Sequence, residues 1–152
     1  MNSQPLCLLA TVESDSHMWN LVYLQMWLSE RGLDVKNLGS CTPVQAVLDA
    51  VEQHRHARLL VISSVNGHGY SQGLALIRAL RQQYPHLHVV IGGKLTTSEE
   101  QTRAVREELL GAGYNAVFTE ADALDAFQHH LERLAQARYS LVLGTGDVAH
   151  WT

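Results

Sequence analysis

The amino-acid sequence predicts a doubly wound α/β domain: a five-stranded parallel sheet with helices on both faces. Three observations carry this. Five strand-length apolar runs alternate with five helical patterns. The third run, Arg58 to Ser64, is nearly continuously apolar, as a strand covered on both faces must be. No linker or internal repeat interrupts the succession, so a single domain is expected over residues 1–138, with a tail over 139–152.

The first strand is the run Pro5 to Val12, and Leu21 to Leu28 follows as a breaker-free helix that Arg31-Gly32 stops. Leu33 to Leu38 alternates apolar with polar, the pattern of a half-buried edge strand. Thr42 reads as an N-cap and Pro43 as the first residue of a helix whose Val44, Val47, Leu48 and Val51 recur on one face. After the central strand, Ser63 to Gly73 reads as a loop rich in glycine and hydroxyls, ahead of a helix burying Leu74, Ile77, Leu80 and Tyr84. His86 to Ile91 is the fourth strand, ended by Gly92-Gly93. Thr97 and Glu100 form a capping-box pattern for a helix that Gly111 and Gly113 close. Asn115 to Phe118 is a short fifth strand, and Ala121 to Ala137 a last helix with Leu124, Phe127, Leu131 and Leu134 on one side. Tyr139 to Leu143 reads as an added strand or a partner contact.

Right-handed crossovers arrange these strands in the flavodoxin-like (Rossmann-like) order 2-1-3-4-5, with its switch point between strands 1 and 3. The loops Ser14 to Asn20 and Ser63 to Gly69 then face each other across one crevice, where such sheets bind ligands. The first of them carries Asp15-x-His17, a carboxylate able to hold one imidazole nitrogen and leave the other for a metal or a proton.

The 152 residues, 46% hydrophobic and 17% charged, suit a globular domain with a core of its own. A formal charge of -4 with interspersed signs argues against nucleic acid, and no apolar run approaches the ~20 residues of a membrane span. The N-terminus has no basic region before its apolar stretch, and Cys7 and Cys41 have no metal or redox spacing, so a cytoplasmic protein with reduced thiols is expected. Common tenants of the fold fit poorly. The only dinucleotide-like glycine run, Gly67 to Gly73, follows the wrong strand; a phospho-receiver would need a carboxylate where Ser63 and Ser64 stand; an FMN loop would need glycine among Thr11, Ser14 and Ser16.

What is present is Asp15-x-His17 after strand 1, Ser63-Ser64-Val65 with Gly67 and Gly69 after strand 3, and Gly92-Gly93 after strand 4. In that combination and order, over roughly residues 5 to 135, the chain resembles the cobalamin-binding domain family and, within it, the small stand-alone subunits of glutamate (methylaspartate) mutase. The resemblance implies adenosylcobalamin as cofactor, with His17 as lower axial ligand to cobalt in place of the cofactor's benzimidazole and Asp15 holding the imidazole. It implies that the displaced nucleotide tail threads between strands 1 and 3, past Gly67, Gly69, Gly92 and Gly93, with Ser63 bonding the buried base. Further contacts are implied from Ser14, Ser16, Met18, Ser64 and Val65, from Lys94, Leu95, Thr96, Thr97 and Ser98, and from Phe118 and Thr119. No catalytic residue beyond the axial ligand is expected, because the resemblance implies a separate, larger TIM-barrel subunit that binds the substrate of a radical carbon-skeleton rearrangement.

Two departures stand out: Asn20 where the family has Gly, and Val65 where it has Leu. The bulk of Asn20 beside the axial loop is expected to retune or weaken corrin binding. Two rival functions share the fold. A corrinoid carrier for methyl transfer would usually have a helical cap domain first, for which a strand starting near residue 5 leaves no room. A non-catalytic binding or regulatory module would be supported mainly by Asn20. His54, His56, His86, His88, His129 and His130 read as surface residues, whereas His68 sits where it could approach a cofactor. Met18, Trp19, Met26 and Trp27 read equally as core, subunit interface or cofactor face.

Overall fold

A computed structural model describes residues 4–119 and 121–141. The elements are β1 (Leu6–Ala10), α1 (Met18–Glu30), β2 (Asp34–Asn37), α2 (Val44–Gln53), β3 (Leu59–Ser64), α3 (Gly69–Gln83), β4 (Val89–Gly93), a 3-10 turn (Glu99–Gln101), α4 (Thr102–Ala112), β5 (Ala116–Phe118) and α5 (Ala123–Leu141). The sheet runs β2-β1-β3-β4-β5 with every pairing parallel, as expected.

Successive strand residues point to opposite faces, so the continuous apolar runs feed two cores. Leu8, Leu60, Ile62 and Ile91 pack with Val47, Ile77, Leu80 and Leu109. Cys7, Leu9, Val61 and Val90 pack on the other face with Leu21, Trp27, Leu28, Phe127 and Leu131. Trp27 stacks on Phe127, whose ring stacks in turn on Phe118. The edge strand β2 alternates exposed with half-buried residues.

Several boundaries differ from the sequence reading. Helix α2 starts at Val44 behind Pro43, because the Thr42 hydroxyl is used elsewhere: it donates to the Gly39 carbonyl and accepts the Thr11 N–H. Helix α3 begins at Gly69, so the expected long loop shrinks to four residues, 65–68. The Thr97 capping box does not form; the 3-10 turn leads into α4, and no side chain caps it. Gly111 lies inside α4, and Gly113, at φ +135°, closes it alone. Tyr139 to Leu141 are the last turn of α5 rather than a strand, and the rest of the tail lies outside the described residues.

His88 and His130, read from the sequence as surface residues, form a half-buried pair with their Nε2 atoms 2.8 Å apart, joining the start of β4 to α5. Burial pushes His88 down to about 4, and the charges of His130 and Arg81 act in the same direction. The unfolded chain therefore binds this proton from about 6.5 downward while the folded chain refuses it until about 4. His88 thus contributes stability that is present above pH 6.5 and lost as pH falls through that window. Thermal melts between pH 7 and pH 4 are expected to fall less steeply for His88→Gln than for the parent. Parallel slopes would contradict the burial that holds His88 down.

Candidate functional site

The strands end together at one edge, and the first turns of α1 and α3 start there. Asp15 is the hub. It is 1% exposed, in the loop between β1 and α1, and a buried carboxylate must find donors. One oxygen, Oδ1, accepts the His17 N–H at 3.0 Å and lies 2.6 Å from His17 Nδ1. The other accepts the Val65 N–H at 2.8 Å and the Ser64 hydroxyl at 2.9 Å. Burial opposes the charge, but these four bonds outweigh it and hold the carboxyl at about 2.

An ionised carboxylate can only accept, so Nδ1 of His17 donates to Asp15 and leaves Nε2 as the ring's other nitrogen for a ligand. The imidazole is 55% exposed and sits at the N-cap position of α1 without capping it. The expected Asp15–His17 contact is therefore present, and Asp15 also ties the two facing loops together.

Ser14 and Asn66 complete that tie. Ser14 donates through its hydroxyl to Gln72 Oε1 at 2.7 Å and accepts the Asn66 amide at 3.0 Å, while Asn66 Oδ1 accepts the His68 N–H. His68 is exposed at the start of α3. Ser16 and Met18 are exposed beside His17, and Met18, Trp19, Tyr23 and Met26 make an exposed apolar stripe along α1. Trp27, by contrast, is core.

Between α1, α5 and the ends of β3 and β4 lies an apolar slot of about 180 Å³. Asn20, Tyr23, Ser63, Gly92, Gly93, Leu24, Val61, Val90 and Phe127 are among the residues that line it. Val65 and Phe118 also border it. Its polar side chains include Ser63 and Asn20, and the Asn20 amide donates to Ser63 Oγ at 2.7 Å. A second recess of about 640 Å³ opens beyond β4 and β5, lined by Lys94 to Ser98, Thr102, Phe118 and Thr119. The two cavities share Gly93, Phe118 and Ala123. Thr119 Oγ1 is buried and has no hydrogen-bond partner among the described residues.

Four glycines were expected to clear a channel. Gly92 and Gly93 do border the slot. Gly67 and Gly69 are not in its lining and serve packing: a Cβ on Gly67 would meet Thr97 Cγ2 at 2.8 Å, and one on Gly69 would meet Leu95 Cδ2 at 2.6 Å. Leu95 is itself a core residue at 3% exposure. Ser64 is fully buried, its hydroxyl donated to Asp15.

Residues 5–128 match the B12 binding domain family. The chain belongs to that family. Among curated relatives of this B12-binding domain, the glutamate mutase sigma subunit of Halobacterium salinarum is 27% identical over 124 residues, covering 82% of this chain and 83% of that one. Glutamate mutase sigma subunit 2 of Haloarcula marismortui is 25% identical over 122 residues, covering 80% and 82%. Among solved structures, a cobalamin-binding protein from Desulfitobacterium hafniense superposes with TM-score 0.66 at 21% identity, and the monomethylamine corrinoid protein of Methanosarcina barkeri with 0.65 at 20%. These alignments cover 86% and 85% of this chain but only 59% and 57% of the other two, so the chain spans under three-fifths of each. A Francisella response-regulator receiver domain superposes with TM-score 0.62 at 19% identity, covering 88% of this chain and 98% of its own. The fold is thus shared with a receiver domain as well as with cobalamin- and corrinoid-binding proteins.

Sequence reasoning missed Asn66 and Gln72, which stitch the loops of this B12-binding domain, and the hydrogen bond made by Asn20. Amide side chains carry no motif of their own, and their partners lie 43 to 58 residues away in the chain.

Proposed function

We propose that this chain is the cobalamin-carrying subunit of an adenosylcobalamin-dependent carbon-skeleton mutase of the glutamate (methylaspartate) mutase kind. The observation that carries the reading is the Asp15–His17 pair, held at the switch point of the sheet by Ser64 and Val65, with the His17 ring half exposed and bonded to Asp15 through Nδ1.

The residues present fit such a cofactor. Neutral imidazole is a good ligand for low-spin cobalt, and a carboxylate on the far nitrogen fixes its tautomer and raises its basicity. Because Asp15 is anchored by Val65, Ser64 and the His17 backbone, the imidazole plane is set before any ligand arrives. With His17 as lower ligand, the slot would take the displaced base and Ser63 would bond it. The recess holding Thr96, Thr97, Ser98 and the unpartnered Thr119 hydroxyl would take the polar part of the tail. When bound, the cofactor supplies a weak cobalt–carbon bond whose homolysis starts radical rearrangement. The chain's own part is to bind, orient and shield the lower face.

The reading assigns substrate to a larger TIM-barrel subunit that closes over the upper face. The exposed apolar stripe Met18, Trp19, Tyr23 and Met26 next to His17 supports a partner on this side. The mutase reading is favoured over a methyl carrier because the curated relatives that the chain matches are named glutamate mutase sigma subunits. No described helix is long and apolar enough to cross a membrane, and the free thiols of Cys7 and Cys41 suit a reducing cytoplasm.

The test is reconstitution. The pure chain with adenosylcobalamin is expected to bind cofactor and to show no turnover of glutamate or 3-methylaspartate, while addition of a glutamate mutase large subunit is expected to restore it. Turnover by the chain alone, or none with any large subunit despite cofactor binding, would overturn the mutase assignment.

A further inference from the structure

Asn20 and Ser63 both line the slot, and the bond between them joins its α1 wall to its β3 wall. Ser63 pairs with Gly92 in the β3–β4 register, and Val61 with Val90 two residues below. At about 3.3 Å per residue, the floor lies some 6–7 Å beneath the Asn20–Ser63 bond. The bond spans from the first turn of α1 to β3 at 2.7 Å. A flat aromatic ring passing between two groups needs van der Waals contact on each face, about 3.5 Å apiece. The opening between Asn20 and Ser63 is less than half of that.

From this juxtaposition we propose that Asn20 is a latch on the nucleotide-tail slot, so that the domain discriminates among corrinoids by their lower base. This rests on the cobalamin reading above. A corrinoid without a nucleotide tail uses His17 and leaves the latch closed. One that carries a benzimidazole nucleotide must break the Asn20–Ser63 bond and swing the amide out before its base can enter. The amide can swing: Asn20 is half-exposed and at the third position of α1, so its side chain has solvent to turn into. Gly at this position would leave the slot permanently open, and Ala would shorten the side chain beyond reach of Ser63.

The experiment compares two probes, cobalamin and cobinamide, on the parent, Asn20→Ala and Asn20→Ser, by equilibrium titration of the visible spectrum. Cobinamide has the same macrocycle and no base, and its binding also reports that each variant is folded. A side-chain hydrogen bond contributes up to about 1.4 kcal/mol net, or about tenfold in affinity. The expected result is therefore cobalamin binding strengthened several-fold, up to about tenfold, in both variants, with cobinamide binding unchanged. Cobinamide binding throughout with cobalamin affinity unmoved, or lowered, by Asn20→Ala would overturn the latch and leave the cobalamin reading standing. Failure of either corrinoid to bind any of the three proteins would overturn both.

Discussion

Gly93→Ala is expected to destabilise the domain by about 3 kcal/mol or more. Two effects coincide at this position. Its φ of +113° lies where an L side chain is strained. The added Cβ would also stand 2.2 Å from the carbonyl oxygen of Ser64, and backbone cannot turn aside as a side chain can. Because β4 pairs Gly93 with Ser64, any adjustment drags the strand end that delivers Ser64 to Asp15. Gly111→Ala is the internal comparison: it sits within α4 with nothing within 4 Å of its Cβ, and should stabilise by about 0.5–1 kcal/mol. Urea unfolding of the two variants beside the parent measures both. Equal midpoints would contradict the packing described for the end of β4.

His17→Ala is expected to have the opposite profile, with little effect on folding and a loss of cobalamin affinity of about a hundredfold or more. The imidazole is 55% exposed and its one side-chain partner among the described residues is Asp15, which retains Val65 and Ser64 when the ring is gone. Removing a supporting partner of a metal-bound histidine commonly costs ten- to a hundredfold in affinity, and removing the ligand itself should cost no less. Asp15→Asn should fall between in binding and lower stability as well, since the amide cannot accept at both ends as the carboxylate does. Thermal melts separate the two variants, and titration ranks their affinities. If His17→Ala bound cobalamin as the parent does, the axial role would be lost.

The order of the sheet was legible because each strand announces itself through its neighbours. Arg58 to Ser64 has no polar face, so it had to be central, and Leu33 to Leu38 alternates, so it had to be an edge. The Asp15–His17 contact was legible from its spacing of two residues. What sequence could not supply was competition for the same side chain. Thr42 looks like a helix cap until the Thr11 N–H is found waiting for it. Gly69 looks like a loop residue until the close approach of Leu95 and Ser64 shows why a helix can begin there. Asn20 was visible only as a departure from a pattern, because its meaning depends on Ser63 lying 2.7 Å away. His88 and His130 looked like surface residues because nothing local records a meeting 42 positions apart.

The most direct test of the central claim is electron paramagnetic resonance of the protein with Co(II) cobalamin, prepared once with natural histidine and once with ¹⁵N-labelled histidine. The unpaired electron couples to the lower axial nitrogen, splitting each cobalt line into a triplet for ¹⁴N and a doublet for ¹⁵N. With His17 as ligand, labelling the protein is expected to turn triplets into doublets, and His17→Ala to abolish that change. Triplets that persist in the labelled protein would mean that the cofactor keeps its own base, and that Asp15 and His17 do not form the cobalt site.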